Sequence, residues 1–161
     1  MIKYRAMDGS LPVCAVTRGN MKRIAILFLL LTFFLSACGR NKPGPLGADA
    51  PADNIPDILG SYALNATDPH GEEYGGTLTI SAGGQPNEFK FQWLVSGGIQ
   101  EGAGTLEGNK LIFTWVSIAG ADQAISGTGE YTITVDGQLY GTRLIEGMDV
   151  PGEETAYPNP K

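Results

Sequence analysis

The sequence predicts an all-β fold, a small antiparallel up-and-down β-barrel of about eight strands. Three observations predict it. From Ile58 onward, short runs rich in β-branched and aromatic residues recur, bounded by Gly, Asn and Asp. Within these runs apolar residues alternate with polar ones at a period of two. Two-residue turns suited to hairpins separate consecutive runs, and no helix of useful length fits between them.

Each predicted strand begins and ends at such turn residues. The eight strands cover residues 58–65, 75–82, 88–96, 98–106, 110–117, 128–135, 138–145 and 151–157. Gly108-Asn109 joins the fourth strand to the fifth, and Asp136-Gly137 joins the sixth to the seventh. The longer connections 65–74 and 82–87 place polar loops at the barrel rims, where binding usually occurs.

The alternation predicts which side chains face inward. The inward set comprises Leu78, Ile80, Phe89, Phe91, Trp93, Val95, Leu111, Phe113, Trp115, Tyr131, Ile133 and Val135. The opposite faces of these strands carry Thr, Lys and Gln, so each strand has one face buried in the core and one face exposed to water. Short turns and a single dry face favour a closed or nearly closed sheet over a sandwich.

Length and composition limit the chemistry. The chain has 161 residues, enough for one domain, with two cysteines and one histidine. So few of these residues argue against a Cys/His zinc site, a disulfide framework or a His-centred triad built from local residues. His70 lies beside Asp68, Glu72 and Glu73, but this loop lacks the spacing of a calcium loop, so a solvated turn is expected. We expect no metal and no cofactor.

A targeting signal precedes the strands. Lys22 and Arg23 are followed by an apolar run, Ile24 to Leu35, and then by Ser36-Ala37-Cys38. The run has about 12 residues, whereas a helix that crosses a bilayer needs about 20. Leu35-Ser36-Ala37-Cys38 resembles the lipobox of bacterial lipoproteins. The alternative is that Cys38 is an ordinary thiol at the end of a buried helix, paired with Cys14.

The lipoprotein resemblance implies that residues 21–37 are a cleaved signal peptide and that Cys38 carries the lipid. Residues 1–20 are then a mis-assigned start or an extension. Two or three acyl chains would hold the protein on the membrane. Because Gly39 is not Asp, the resemblance implies the outer membrane in a Gram-negative cell, and otherwise the outer face of the cell membrane.

The processed chain is acidic. Residues 38–161 contain six Lys and Arg against sixteen Asp and Glu, a net charge of −10. Such a surface repels phosphate backbones and anionic lipid headgroups, which argues against nucleic-acid binding and against a polybasic membrane patch. Residues 38–56, rich in Pro, Gly, Ala and Asp, predict a flexible tether before a barrel domain over 57–161.

The spacing of the glycines and turn residues gives this sequence a second resemblance. The relevant segments are Gly60-Ser61-Tyr62, Gly75 to Ile80, the Trp93 strand, Gly102-Ala103-Gly104, Gly108-Asn109, and Asp136-Gly137 with Leu139 and Gly141. Their succession resembles small secreted bacterial eight-stranded barrels, calycin-like or avidin-like in shape. Arg143 stands where that pattern has an aromatic residue.

Arg143 and the aromatic residues are the candidate site. If Leu139 and Gly141 point inward, Arg143 does too, and a buried guanidinium needs an acceptor such as Glu154 or its neighbour Glu153. Arg143 either binds an anionic group in the barrel mouth or forms a structural rim ion pair, unless a register shift leaves it in solvent. Similarly, Trp93, Trp115, Tyr131 and Tyr62 either line a pocket or fill the core, since an eight-stranded barrel is just wide enough for its own side chains.

These observations predict a membrane-anchored, extracytoplasmic, non-catalytic module that binds a small ligand or has an envelope-associated role. The alternative is a protein-interaction barrel that contacts an extracytoplasmic protein or inhibits a hydrolase. A glycan-acting enzyme is a third class, for which no feature selects a carboxylate pair.

Overall fold

The computed structural model describes residues 44–120 and 125–160. The sequence predictions for residues 1–20, for the signal peptide at 21–37, and for Cys38 and Gly39 lie outside the described residues. Among the residues described, no helix is long and apolar enough to cross a bilayer.

Eight antiparallel strands form the fold. They are β1 (Gly60–Thr67), β2 (Glu73–Ala82), β3 (Glu88–Val95), β4 (Gly98–Glu107), β5 (Lys110–Ala119), β6 (Ser126–Ile133), β7 (Leu139–Ile145) and β8 (Gly152–Pro158). Each strand pairs with the next, and β8 pairs with β1, so the sheet closes into a barrel. The predicted all-β barrel is confirmed, with strand bounds shifted by at most a few residues.

The predicted hairpin turns join the predicted strands. Glu107 pairs with Lys110 across Gly108-Asn109. The φ of Gly108 is 61°, and a positive φ at the first turn residue is typical of a type II′ turn. At Asp136-Gly137 the amide of Gly137, whose φ is 74°, donates to the carbonyl of Thr134 at 2.9 Å. The Thr134 amide also donates to the Gln138 carbonyl, so the second connection is a three-residue loop, 135–137, rather than the predicted two-residue turn.

Large and small residues alternate around the barrel interior. In the strand register, Trp115 lies between Gly102 on β4 and Gly127 on β6, and Phe113 lies between Gly104 and Gly129. A Cβ atom on Gly127 would stand 2.8 Å from Trp115 Nε1. The inward glycines therefore provide the space that the aromatic rings fill, an arrangement that supports strong sheet curvature.

Phe113 is the centre of an aromatic core. Its ring centroid lies 5.1 Å from that of Phe91, 5.4 Å from that of Trp93 and 4.8 Å from that of Tyr131. Tilted rings at such separations add to the free energy gained from burial. The interior in the middle of the barrel is consequently filled by side chains.

The two ends of the barrel differ, and we name them by their loops. The base carries the connections 83–87, 108–109 and 134–138, and the segment 47–58 packs there. The mouth carries the connections 68–72, 96–97 and 146–151. Ala50 and Ile58 are each 3% exposed and belong to the core, and the Ala50 amide donates to the Ile133 carbonyl at 2.8 Å.

The base segment changes the interpretation of the predicted tether. Asp49 forms a β-bridge with Thr134, the Tyr140 hydroxyl donates to Asp49 at 2.8 Å, and the Gly47 amide donates to Gln138 at 2.7 Å. Within the predicted tether 38–56, the part from Gly47 onward is therefore attached to the barrel. The sequence did not predict this attachment, because the segment is rich in proline, glycine and alanine. The attachment depends on backbone hydrogen bonds and on one small side chain, which produce no recognisable sequence pattern.

Some inward predictions need correction. Val135 is 50% exposed, whereas its neighbour Thr134 is fully buried. The alternation ends at Ile133 because Thr134 begins the turn: its amide donates to the Gln138 carbonyl, while the Val135 amide donates to Ala48. Phe89 and Val95 lie near strand ends and are half-buried, packed against the core.

Candidate functional site

A cavity of about 400 Å³ opens at the mouth of the barrel. Its apolar wall includes Val95, Ile125 and Ile145, which pack against the edge of the core. Its floor includes Arg143, Gln100 and Trp115. An apolar wall with a few convergent polar groups is the general composition of a small-molecule site.

The buried carboxylate of Glu154 lies beside the floor. In the strand register, Glu154 is flanked by two small residues, Gly141 on β7 and Ala66 on β1. One strand further on each side stand Tyr131, opposite Gly141, and Tyr74, opposite Ala66. Because Gly141 and Ala66 leave space, both tyrosines reach the carboxylate: Tyr74 donates to Oε1 at 2.6 Å and Tyr131 donates to Oε2.

Arg143 provides the opposite charge. It lies between Gly129 on β6 and Gly152 on β8. Its Nη1 donates to Glu154 Oε1 at 2.9 Å, and its Nη2 donates to Gln100 Oε1 at 2.7 Å. The side chains of Arg143 and Glu154 are 5% and 0% exposed. Hydrogen bonds to the remaining polar groups lower the cost of burying such a pair, and here the two tyrosines bind the carboxylate and the glutamine binds Arg143 Nη2.

The two tryptophans complete the surroundings of the guanidinium. Arg143 Cζ lies 4.5 Å from the ring centroid of Trp93 and 4.0 Å from that of Trp115, within cation–π distance of both. Trp93 Nε1 donates to the Tyr131 hydroxyl at 3.1 Å. Within the part of the chain that the structure describes, the buried donors Arg143 Nε and Trp115 Nε1 have no hydrogen-bond partner.

Burial changes the acidity of the two tyrosines. Desolvation, together with the nearby Glu154 carboxylate, raises the pKa of Tyr131 well above its usual value of 10.0. The same two causes raise the pKa of Tyr74. Both hydroxyls therefore stay protonated at neutral pH and remain donors to the carboxylate.

The structure brings Arg143 and Glu154 together, with Trp93, Trp115 and Tyr131 in contact with the pair, and places Glu153 and Tyr62 elsewhere. Glu153, the alternative partner, is exposed on the outer face of β8. Trp115 lines the cavity, whereas Trp93 and Tyr131, each 0% exposed, are buried in the core. They do not form an open aromatic pocket with Trp115, because rings and the ion pair fill that level of the barrel. Tyr62 lies near the base, where its hydroxyl donates to the Ile58 carbonyl at 2.7 Å.

Gln100 and Tyr74 are site residues that the sequence analysis missed. Gln100 follows a register irregularity between Ile99 and Gln100, and bulges of this kind often re-aim side chains near functional sites. A period of two with Gly102, Gly104 and Leu106 would have placed Gln100 inward. Tyr74 was assigned to a rim loop, and only its register opposite Ala66 brings it to Glu154.

The loop that contains His70 is an exposed turn. Asp68 Oδ1 accepts hydrogen bonds from the amides of His70 and Glu72, both at 2.8 Å, so it stabilises the turn. Within residues 44–120 and 125–160, no group of three or more His, Cys, Asp or Glu side chains is arranged to hold a metal ion.

A second concave surface lies on the outside of the barrel. Its volume is about 880 Å³, and Thr114, Val116, Thr128 and Leu144 on β5, β6 and β7 contribute to it. Val116 and Leu144 are 41% and 36% exposed. This outer groove lies on the outer side of the strand wall and shares two lining residues, Trp115 and Ile145, with the mouth cavity.

Comparisons with known proteins give structural similarity alone. No family model matches the chain, and no curated protein matches it. The redesigned β-barrel mFAP1, solved bound to DFHBI, is similar with a TM-score of 0.52 and 14% identity, covering 63% of this chain and 94% of that one. The redesigned barrel b11L5F_LGL gives a TM-score of 0.51 and 13% identity, covering 64% and 92%. At these identities the comparisons show the fold, a closed eight-stranded antiparallel β-barrel.

Proposed function

We propose that this chain is a lipid-anchored, non-catalytic binding protein that takes a small ligand into the mouth of its barrel. The observation that carries the proposal is the mouth cavity above a buried ion pair. Replacing a buried ion pair by apolar residues is often neutral or stabilising, so the pair is poorly explained by stability alone. A polar floor that orients a ligand explains it.

Two further features support binding. Arg143, Gln100 and Trp115 close the cavity toward the filled core, so it opens at the mouth. A barrel of similar fold, mFAP1, has been solved with a bound compound, DFHBI. The cavity of about 400 Å³ is within the usual range for ligand sites, toward its small end.

The hydrogen bonds of Glu154 support a non-catalytic role. Its carboxylate accepts from Tyr74, Tyr131 and Arg143 and is fully buried. A general acid or base must reach the substrate and exchange a proton with it. A carboxylate saturated by three donors is suited to holding Arg143 in place instead.

Titration of a charge-mixed set of small aromatic compounds tests ligand binding. The full chain is kept in phosphatidylcholine vesicles, and intrinsic fluorescence is recorded. The chain has two tryptophans, and both contact Arg143, so the signal reports on the site. Ile125→Phe, which enlarges a cavity-wall residue outside the strands, should weaken any binding roughly tenfold or more.

Val135→Phe is the matched control, since it makes a similar enlargement at an exposed position of the base. It should leave affinity unchanged. If no compound produces a fluorescence change that depends on Ile125, the binding proposal is wrong.

The lipid anchor is tested separately by intact mass spectrometry of the membrane fraction. We expect a chain that begins at Cys38 and carries two or three acyl groups, and we expect Cys38→Ala to remain unacylated. An unmodified wild-type chain that retains residues 1–37 would contradict the anchor and the proposed location outside the cytoplasm.

The outer groove favours a second candidate function, contact with an extracytoplasmic protein. Val116 and Leu144 expose apolar surface that a partner could cover. Crosslinking in cells that express the Val116→Ser/Leu144→Ser variant separates the two candidates. Loss of a crosslinked partner in this double variant supports the protein interaction. Ile125→Phe should leave the crosslinked partner in place and remove only small-ligand binding.

A further inference from the structure

The polar groups around the mouth cavity specify the charge of its ligand. We infer that the cavity takes a small uncharged molecule with an apolar body and a carbonyl-type hydrogen-bond acceptor, and that it rejects anions. This inference rests on the proposed function, since it presupposes that the cavity binds a ligand. Three features of the cavity support the inference: the charge of the floor, the charge of the rim and the unpaired donors.

The positive charge of the floor is already neutralised. Arg143 is the basic residue that lines the cavity, and it donates to the carboxylate of Glu154 and to Gln100. An anionic ligand would have to compete with Glu154, which Tyr74 and Tyr131 also hold. The Arg143–Glu154 pair therefore has no net charge that would attract an anion, although the guanidinium still offers a hydrogen-bond donor.

The rim of the cavity is negatively charged. Asp68, Glu72 and Glu73 line it. The other basic side chains in the described part of the chain, Lys90 and Lys110, lie in the half of the barrel nearer the base, and Lys110 pairs with Glu130. Carboxylates within a Debye length of the opening repel an approaching anion.

Donors without partners define what the ligand must supply. Arg143 Nε and Trp115 Nε1 are buried and lack an acceptor, and both residues line the cavity. A buried donor left unpaired is costly. Protein atoms cover both nitrogen atoms, so a ligand oxygen gains this binding energy when a neighbouring side chain moves aside to admit it. The rim carboxylates attract a cation, but a cation with donors alone cannot supply the oxygen, so an uncharged carbonyl compound is a better match than an anion or a donor-only cation.

Three compounds of nearly the same shape test the inference: benzamide, benzoate and benzamidine. Benzamide is neutral with a carbonyl oxygen, benzoate is an anion with acceptors, and benzamidine is a cation with donors alone. With the full chain in phosphatidylcholine vesicles, tryptophan fluorescence should show benzamide binding at neutral pH roughly fivefold or more tightly than either charged analogue. Tightest binding by benzoate or by benzamidine, or equal binding of all three, would overturn the inference.

A charge variant sharpens the test. Glu72→Gln/Glu73→Gln removes two rim charges and should strengthen benzoate binding roughly threefold, with benzamide unchanged. The matched control Glu88→Gln/Glu107→Gln removes two exposed charges at the base and should change neither. A benzoate affinity that does not respond to the rim variant would contradict the role of the rim.

Failure of the inference differs from failure of the proposed function. If benzoate or benzamidine binds best and Ile125→Phe abolishes that binding, the cavity is a ligand site and the inferred ligand class is wrong. If none of the three binds, the inference is wrong, and the charge-mixed compound set described above then decides whether the cavity binds anything.

Discussion

The base and the mouth of the barrel are built from the same eight strands, but apolar packing closes the base, whereas the mouth contains buried polar groups and a cavity. At the base, the segment 47–58 contributes backbone hydrogen bonds and the apolar side chains of Ala50 and Ile58. At the mouth, the interior holds a buried ion pair, two unpaired donors and a cavity. Burial of apolar side chains at the base stabilises the fold. The buried polar arrangement at the mouth offsets part of that stability.

This difference assigns different roles to the two ends. Apolar burial contributes roughly 25 cal/mol per Å², so closing the base is favourable without further arrangement. A buried ion pair gains little over apolar packing, yet breaking it is expensive. Substitutions at the base should therefore change stability alone, while substitutions at the mouth should change stability and binding together. The predictions below follow this contrast from the largest effect to the smallest.

The largest effect is expected for Glu154→Ala. It leaves the guanidinium of Arg143 buried without its counter-charge, which should lower the free energy of unfolding by about 3–5 kcal/mol. Urea denaturation measures the change, with Glu153→Gln as the exposed control. Arg143→Met/Glu154→Leu should be more stable than Glu154→Ala while losing ligand binding. A double variant no more stable than the single one would contradict the cost assigned to the unpaired charge.

Ile58→Ala tests the base. Removing most of a core side chain that is 3% exposed should cost about 2–4 kcal/mol in urea denaturation. Ligand affinity at the mouth should stay within about twofold, because the site lies at the other end. An affinity loss comparable to that of Ile125→Phe would show that the two ends are coupled and that the contrast is wrong.

Tyr131→Phe should have an intermediate effect. It removes a donor to the buried carboxylate and should cost about 1–3 kcal/mol at neutral pH. Because burial and Glu154 raise the pKa of Tyr131 above 10.0, its contribution is complete below pH 10.0 and declines as the pH rises from there toward the folded-state pKa. Urea denaturation should show stability falling above pH 10.0 in the wild type and falling less steeply in the variant. Equal slopes would contradict this assignment.

The smallest effect is expected for Tyr140→Phe at the base. Its hydroxyl donates to Asp49 at 2.8 Å, and losing this exposed hydrogen bond should cost about 0.5–1.5 kcal/mol. Asp49→Asn keeps an acceptor oxygen and should cost less. Thermal unfolding measures both, and a larger loss in Asp49→Asn would indicate that the charge of Asp49 matters more than the hydrogen bond.

The sequence predicted the strands well because local alternation and turn residues determine them. It also linked Arg143 to Glu154, since an inward arginine on β7 needs an acceptor on a neighbouring strand. The period of two that Gln100 shares with Gly102 and Gly104 was a signal for its inward position that was overlooked, whereas no local signal predicts Tyr74, which reaches Glu154 across Ala66 on another strand. The base segment was missed for the same reason: its hydrogen bonds join residues far apart in the chain.

The pairing of β8 with β1 has a consequence for the order of folding. Until β8 pairs with β1, each of these two strands has an unpaired edge, and Glu154 lacks the hydrogen bond from Tyr74 on β2. Contacts between residues so distant in sequence close late and slow the folding of β-rich domains. Closure of the sheet and the Tyr74 hydrogen bond to Glu154 are therefore completed in the same step, and a chain in which β8 has not paired with β1 exposes two strand edges that can pair with other chains.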